Sequence, residues 1–191
     1  IPAILIKKIK KIPIVFWVQD LWPESILAVS ATKSNILIKF TDKLVRWIYS
    51  HCDEILVQSK GFVKEIKSKG VSKNKIKYLP NWAEDFYKPL KANAKSSIAK
   101  SLKDENFKIL FAGNLGEAQS LNTIISAADL IRNEKITWII IGDGRKKKWL
   151  KNEIQKRNLS DKIRLIGKKP VKKMPEYFSH ADVLLVTLSS N

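Results

Sequence analysis

Residues 107–144 read FKILFAGNLGEAQSLNTIISAADLIRNEKITWIIIGDG. Two apolar runs of strand length, Phe107 to Ala112 and Ile136 to Ile141, each end on a turn that contains glycine. Between them Leu121, Ile124, Ile125, Ala128 and Ile131 recur at the spacing of a helix with one apolar face. Strand, glycine turn, helix and strand is the repeating unit of a parallel sheet, since a parallel neighbour is reached only through a long crossover. Downstream the unit recurs. After Gly142-Asp143-Gly144 comes a helix from Arg145 to Arg157 with Leu150 and Ile154 inward, then a strand from Lys162 to Ile166. A turn from Gly167 to Pro170, a short helix from Lys172 to His180 and a buried strand from Val183 to Val186 follow. Such a series predicts a Rossmann-like half.

The residues before this half carry the same alternation. Pro13 to Val18 (PIVFWV), bounded by Asp20, suits a strand covered on both faces. Ser34 to His51 reads as a helix whose Ile36, Leu37, Phe40, Leu44, Trp47 and Ile48 form one apolar arc, flanked by Lys39, Lys43 and Arg46. That arc is expected in the core, with only the basic flank free to meet an anionic surface. A strand from Asp53 to Val57, a helix from Lys60 to Lys69 ended by Gly70, and a strand from Lys75 to Leu79 complete this part. Between Lys88 and Asn106 the pattern dissolves into a Lys-, Ser- and Ala-rich stretch, read as a linker with a weak helix. The fold class is therefore α/β with two Rossmann-like parallel-sheet domains, at 1–88 and 106–191, joined by a linker at 89–105. The chain opens on Ile1 and closes on Asn191 just after a strand, so both domains are expected to be incomplete, as in a fragment.

Composition narrows the function classes. The 191 residues hold 36 Lys+Arg against 18 Asp+Glu, a net +18 that favours nucleic acid, anionic lipid or phosphorylated substrates. Recognition of nucleic acid favours Arg and exposed aromatics, whereas Lys predominates here and the aromatics lie in apolar runs. With no helix-turn-helix, zinc-finger or RNP-like string, no nucleic-acid partner is expected. The single cysteine, Cys52, excludes an intrachain disulfide and any multi-cysteine zinc site. No apolar run reaches the roughly 18 to 20 residues of a membrane span.

In an open parallel sheet, ligands bind beyond the carboxyl ends of the strands, where glycines admit close backbone approach and N–H groups face phosphate. Gly113-Asn114-Leu115-Gly116, Gly142-Asp143-Gly144 and Gly167 to Pro170 are three such loops in succession. They do not spell G-x-G-x-x-G, because the third glycine position counted from Gly142 is Lys147, and no Walker A string occurs. His51 and His180, at helix-to-strand junctions, read as charge partners of helix ends.

AGNLGEAQSLNTIISAADLI, WIIIGDGRKKKWLKNEI and IRLIGKKPVKKMPEYFSHADVLLVTL, with WVQDLWPES and YLPNWAEDF before them, resemble the family 4 retaining glycosyltransferases of the GT-B fold. WVQDLWPES and YLPNWAEDF look like members that build bacterial O-antigen and capsular polysaccharides, N-acetylfucosamine-type transferases among them. The resemblance implies a UDP- or GDP-sugar donor held by the second domain and an acceptor, lipid-linked in many such enzymes, held by the first. It implies no metal ion and a place in the cytoplasm, peripheral to the inner membrane face. By position, Gly113, Asn114, Leu115 and Gly116 would offer backbone N–H groups to the diphosphate or sugar. Gly142 and Gly144 would approach the nucleoside, Arg145 would reach inward, and Gly167, Lys168 and Pro170 would border the base. Asp20 and Glu24 in QDLWPES are the candidates for orienting or activating an acceptor hydroxyl. Two features depart from the family pattern: its Arg and Lys near the first loop are replaced by Glu117, Gln119 and Ser120, and its paired glutamates would follow Ser189. A sugar-nucleotide epimerase of the same architecture and a basic lipid- or nucleic-acid-binding module are the alternative readings.

Overall fold

The alternating apolar runs build two separate parallel sheets. The computed structural model describes residues 2–25, 34–93 and 95–188, and the chain divides into the units Ile1–Trp82 and Ala83–Asn191.

In the first unit the elements are α1 (Pro2–Lys10), β1 (Val15–Val18), α2 (Asn35–His51), β2 (Glu54–Val57), α3 (Phe62–Ser68) and β3 (Ile76–Tyr78). The strands pair in the order β1-β2-β3, with Val18 beside Val57 and Val57 beside Tyr78. Ser34 caps α2 by accepting a hydrogen bond from the Leu37 N–H. Val18, Val45, Tyr49, Ile55, Val57 and Ile66 make the core. Two expectations fail here. In β1 only Val18 is buried, and Val15 and Phe16 are exposed; among the described residues the strand pairs with β2 alone. In α2 the inward side is Val45 and Tyr49, with Ile48 packed against them, while Ile36, Leu37, Phe40 and Trp47 are exposed. Asp42 shares the inward side and accepts a hydrogen bond from Lys69, and Tyr49 meets the Phe16 ring.

In the second unit the elements are α4 (Ser97–Ser101), β4 (Phe107–Ala112), α5 (Leu121–Leu130), β5 (Ile136–Ile141), α6 (Lys147–Lys156), β6 (Ile163–Leu165), α7 (Met174–Phe178) and β7 (Val183–Leu185). The sheet order is β6-β5-β4-β7, all parallel. Residues alternate between the faces of β5, so Trp138 and Ile140 pack with Leu121, Ile125, Leu150 and Ile154. Ile139 and Ile141 pack on the other face with Ile98, Leu102, Met174 and Tyr177. Thus α5 and α6 cover one face, and α4 and α7 the other. The stretch expected as a linker contributes Ile98 and Leu102 to this core. The strand expected to be buried, β7, pairs with β4 alone among the described residues, and its Val183 and Leu184 are exposed.

Candidate functional site: a cleft at the strand ends of the second unit

Parallel strands carry their carboxyl ends to one edge, and the register fixes how close the loops come. Ala112 lies beside Ile141, and Ile140 beside Leu165, so the turns after β4, β5 and β6 start at nearly one level. They are then tied to each other. The Gly113 N–H donates to the Ile141 carbonyl at 3.0 Å, the Leu115 N–H to the Asp143 carbonyl at 2.9 Å, and the Gly142 N–H to the Gly167 carbonyl at 3.2 Å. The Lys146 N–H returns to the Leu115 carbonyl at 2.9 Å. Glycine is needed where the loops cross: a Cβ at Gly142 would lie 1.9 Å from the Gly113 carbonyl oxygen. One at Gly144 would lie 2.5 Å from that of Leu115. The Asn114 amide fills the space between Gly116 and Gly144.

The loops border a cleft of about 340 Å³, lined by Gly113, Asn114, Gly142, Asp143, Lys168 and Lys169, and walled by Tyr87, Val171, Met174 and Phe178. Tyr87 stacks on Phe178 with 6.2 Å between ring centroids. Sequence reading missed Tyr87, Lys169, Met174 and Phe178. The last three lie within a dozen residues of the third loop, but nothing local marks Tyr87.

Hydrogen bonding sorts the candidate donors. The N–H groups of Gly113, Leu115 and Gly142 are engaged by carbonyls, and that of Gly144 donates to Asp143 Oδ1 at 2.9 Å. Leu115 keeps its side chain in the core, and both its backbone groups brace the second loop. Among the described residues the Asn114 and Gly116 N–H groups have no such acceptor.

The cations sort in the same way. Lys146 is taken by Glu117, at 2.6 Å, and lies over the Trp149 ring. Arg145 is exposed, without a hydrogen-bond or ion-pair partner among the described residues, and is not among the cleft-lining side chains. Lys147 beside Asp143 holds that carboxyl below the usual range, helped by the Gly144 N–H and the charge of Lys168. Lys168 and Lys169 are the cations at the cleft itself. Pro170 leads into a short turn of helix at Val171–Lys173 and fixes the exit of the third loop.

In the first unit Asp20 is exposed just beyond the end of β1. Glu24 is engaged by a cation: its Oε1 is 2.8 Å from Lys69 Nζ, and its Oε2 is shut away from solvent without a partner among the described residues. Lys69, buried, also binds Asp42 at 3.0 Å. Burial pulls the ammonium pKa down, but the hydrogen bonds to Glu24 and Asp42 outweigh it and the net shift is upward. A polar group that sequence reading missed lies at the strand ends. Asn81 Nδ2 donates to Gln19 Oε1 at 3.0 Å and to Gln58 Oε1 at 2.6 Å, while Gln58 Nε2 donates to the Gln19 carbonyl. The repeated Val-Gln that closes β1 and β2 was its signal. Beside it Trp82 stacks on Trp17, whose indole N–H donates to the Leu79 carbonyl. His51 Nδ1 lies 2.7 Å from the Trp47 carbonyl and Asp53 pairs with Lys7, so no His51–Asp53 pair forms.

Comparison with known proteins fits this geometry. The profile of the glycosyl transferases group 1 family matches residues 93–190, more than half of the chain and all of the loop cluster. The chain belongs to the glycosyl transferases group 1 family. Probable glycosyltransferase WbjE of Pseudomonas aeruginosa is 29% identical over 181 residues, covering 91% of this chain and 44% of that protein. Uncharacterized glycosyltransferase MJ1059 of Methanocaldococcus jannaschii is 29% identical over 177 residues, covering 87% and 42%. The group 1 chain thus spans somewhat under half the length of these curated relatives. Among solved structures, Anabaena Alr3699/HepE in complex with UDP superimposes with a TM-score of 0.75 at 15% identity, over 98% of this chain and 50% of that one. The fold of this group 1 chain is GT-B, with two Rossmann-like parallel-sheet units.

Proposed function

We propose that the protein transfers a sugar, with retention of configuration, from a UDP- or GDP-sugar to a lipid-linked glycan acceptor during the synthesis of a surface polysaccharide. The observation that carries this is the strand-end cleft, which Asn114, whose N–H has no acceptor among the described residues, lines together with Lys168 and Lys169. A nucleoside diphosphate leaving group gains negative charge as the glycosidic bond breaks. Fixed N–H dipoles and cations stabilise that charge in the transition state more than in the ground state. In this reading Lys168 and Lys169 supply the neutralising charge without a metal ion, and the Tyr87–Phe178 pair offers an apolar wall to the base. A solved GT-B relative, HepE, has been crystallised with UDP and with UDP-glucose, which favours uridine diphosphate as the first donor to try. Asp20, exposed at the end of β1, orients the acceptor hydroxyl in the cytoplasm, while Glu24 serves the fold.

Thermal unfolding with UDP, GDP and their sugars tests the reading. The matching nucleotide at 100 times its Kd adds about 2.7 kcal/mol to the unit that binds it. Lys168→Ala with Lys169→Ala weakens this at least about tenfold in Kd, the effect of losing charge-assisted contacts. Absence of stabilisation by every nucleoside diphosphate, or stabilisation untouched by the double substitution, refutes it.

A further inference from the structure

The first loop of the second unit carries an acid close to the cleft. Glu117 follows Asn114 by three positions, and Asn114 lines the cleft with Lys168 and Lys169. A lone carboxylate there would repel a diphosphate. Pairing offsets that charge: Glu117 Oε2 lies 2.6 Å from Lys146 Nζ, which also lies 4.8 Å from the centre of the Trp149 ring. Lys146 stands between β5 and α6, so the pair ties the first loop to the loop of one neighbouring strand. A second tie runs the other way. Thr187, two residues past β7, donates its hydroxyl to the Gln119 carbonyl at 2.6 Å. Strand β4 lies between β5 and β7, and the turn Glu117–Gln119 that follows it is thus held from both sides.

The turn needs both ties. Its own hydrogen bonds, from the Gln119 N–H to the Gly116 carbonyl and from the Ser120 N–H to the Glu117 carbonyl, are each 3.4 Å, long for such bonds. Ser120 then takes a φ of 45°, in the left-handed region, which costs a non-glycine residue energy that its surroundings must supply. We infer that Glu117, acting through Lys146, and Thr187 are positioning residues for the donor. Together they fix the first loop, and with it the Asn114 and Gly116 N–H groups, which have no acceptor among the described residues, in place for a nucleoside diphosphate. The inference rests on the proposed binding of that diphosphate in the strand-end cleft, and gives the acid of the first loop a part that its charge alone would deny it.

Calorimetric titration of the whole chain with UDP and with GDP tests it, because charge and positioning give opposite signs. By charge alone Glu117→Gln binds the nucleotide more tightly, since it leaves Lys146 unpaired. By positioning it binds about threefold more weakly, the effect of losing a partly exposed ion pair. Lys146→Gln weakens binding to the same extent and the double variant no further, since either change opens the tie. Thr187→Val raises the Kd about threefold, the effect of one hydrogen bond, whereas Thr187→Ser keeps the hydroxyl and the wild-type value. In the nucleotide-free protein, amide exchange at Gln119 and Ser120 speeds up at least about threefold in Glu117→Gln and in Thr187→Val, with far-UV circular dichroism unchanged. Tighter or unaltered binding by Glu117→Gln overturns the inference, as does amide exchange that neither substitution changes. Weakening by Lys146→Gln combined with tightening by Glu117→Gln overturns it in favour of direct contact between Lys146 and the nucleotide. If neither nucleotide binds the wild-type chain, the reading of the cleft fails and takes this inference with it. If the wild type binds and the substitutions do not weaken it, this inference alone fails.

Discussion

Gly142 and Gly167 stand at the ends of neighbouring strands, and the space around their α-carbons sets opposite tolerances. A Cβ at Gly142 would sit 1.9 Å from a backbone oxygen, whereas one at Gly167 meets nothing within 4 Å and suffers only the backbone angle of +74°. Gly142→Ala is expected to cost about 3 kcal/mol or more, and Gly167→Ala about 1 kcal/mol, in urea unfolding followed by circular dichroism. Equal costs would mean that the loops do not cross as described. Lys69 poses the converse case, a cation enclosed by two carboxylates from distant segments. Lys69→Met leaves Glu24 without its cation and Asp42 with Arg46 alone, and is expected to destabilise the first unit by about 2 kcal/mol, less than a fully buried pair because both acids touch water. A neutral outcome in the same urea assay would assign Lys69 no part in stability. Glu24 was legible as a charged residue in QDLWPES, yet its partner lies 45 positions along the chain, so no local pattern could show that it is already occupied.

At the scale of elements, α2 is held to its sheet through Tyr49, whose hydroxyl burial pushes up to a pKa of about 12, with the charge of Glu24 adding to the effect. Raised in the folded state, the phenol stays neutral after the unfolded chain has ionised. Stability is thus whole below about pH 10 and declines as pH climbs toward 12. A rise of that size corresponds to roughly 2 to 3 kcal/mol. Tyr49→Phe should flatten this alkaline limb while leaving neutral stability within about 1 kcal/mol, and an unchanged limb in pH-dependent urea midpoints would contradict the burial. Helices α5 and α6 behave as their periodicity foretold, with Leu121, Ile124, Ile125, Leu150 and Ile154 all buried. Leu150→Ala, at a position with no exposure, should cost about 2 to 5 kcal/mol by calorimetry. The helix whose reading failed, α2, has apolar residues on more than half its circumference, and periodicity alone cannot tell which part meets the sheet.

For the whole molecule, two units with separate cores imply two responses. Bound UDP should slow amide hydrogen exchange within 107–178 and leave 2–82 unaltered, since a ligand protects the unit that binds it. Protection spread evenly over both, or absent from both, would count against the strand-end cleft. Acid should weaken both. The Arg46 guanidinium beside Asp42, and that of Arg132 beside Asp129, hold these carboxyls below their usual range. Lowered in the folded state, they contribute stability that is present above about pH 4 and lost as pH falls through their depressed values. A urea midpoint constant from neutral pH down to about pH 2 would contradict those pairings.

From sequence alone came the α/β class, the strand-turn-helix repeats, the three glycine loops and the family they resemble. All of these depend on spacing within a few residues, and apolar periodicity and glycine placement are local properties of the chain. Tertiary structure decided which side of α2 is covered, that Glu24 is spent on Lys69, that Leu115 braces a loop, and that Asn114 and Gly116 keep N–H groups without an acceptor among the described residues while Lys168 and Lys169 line the cleft. These depend on segments far apart in sequence meeting at a particular register, and the competition among alternative partners is settled only when strands and helices pack.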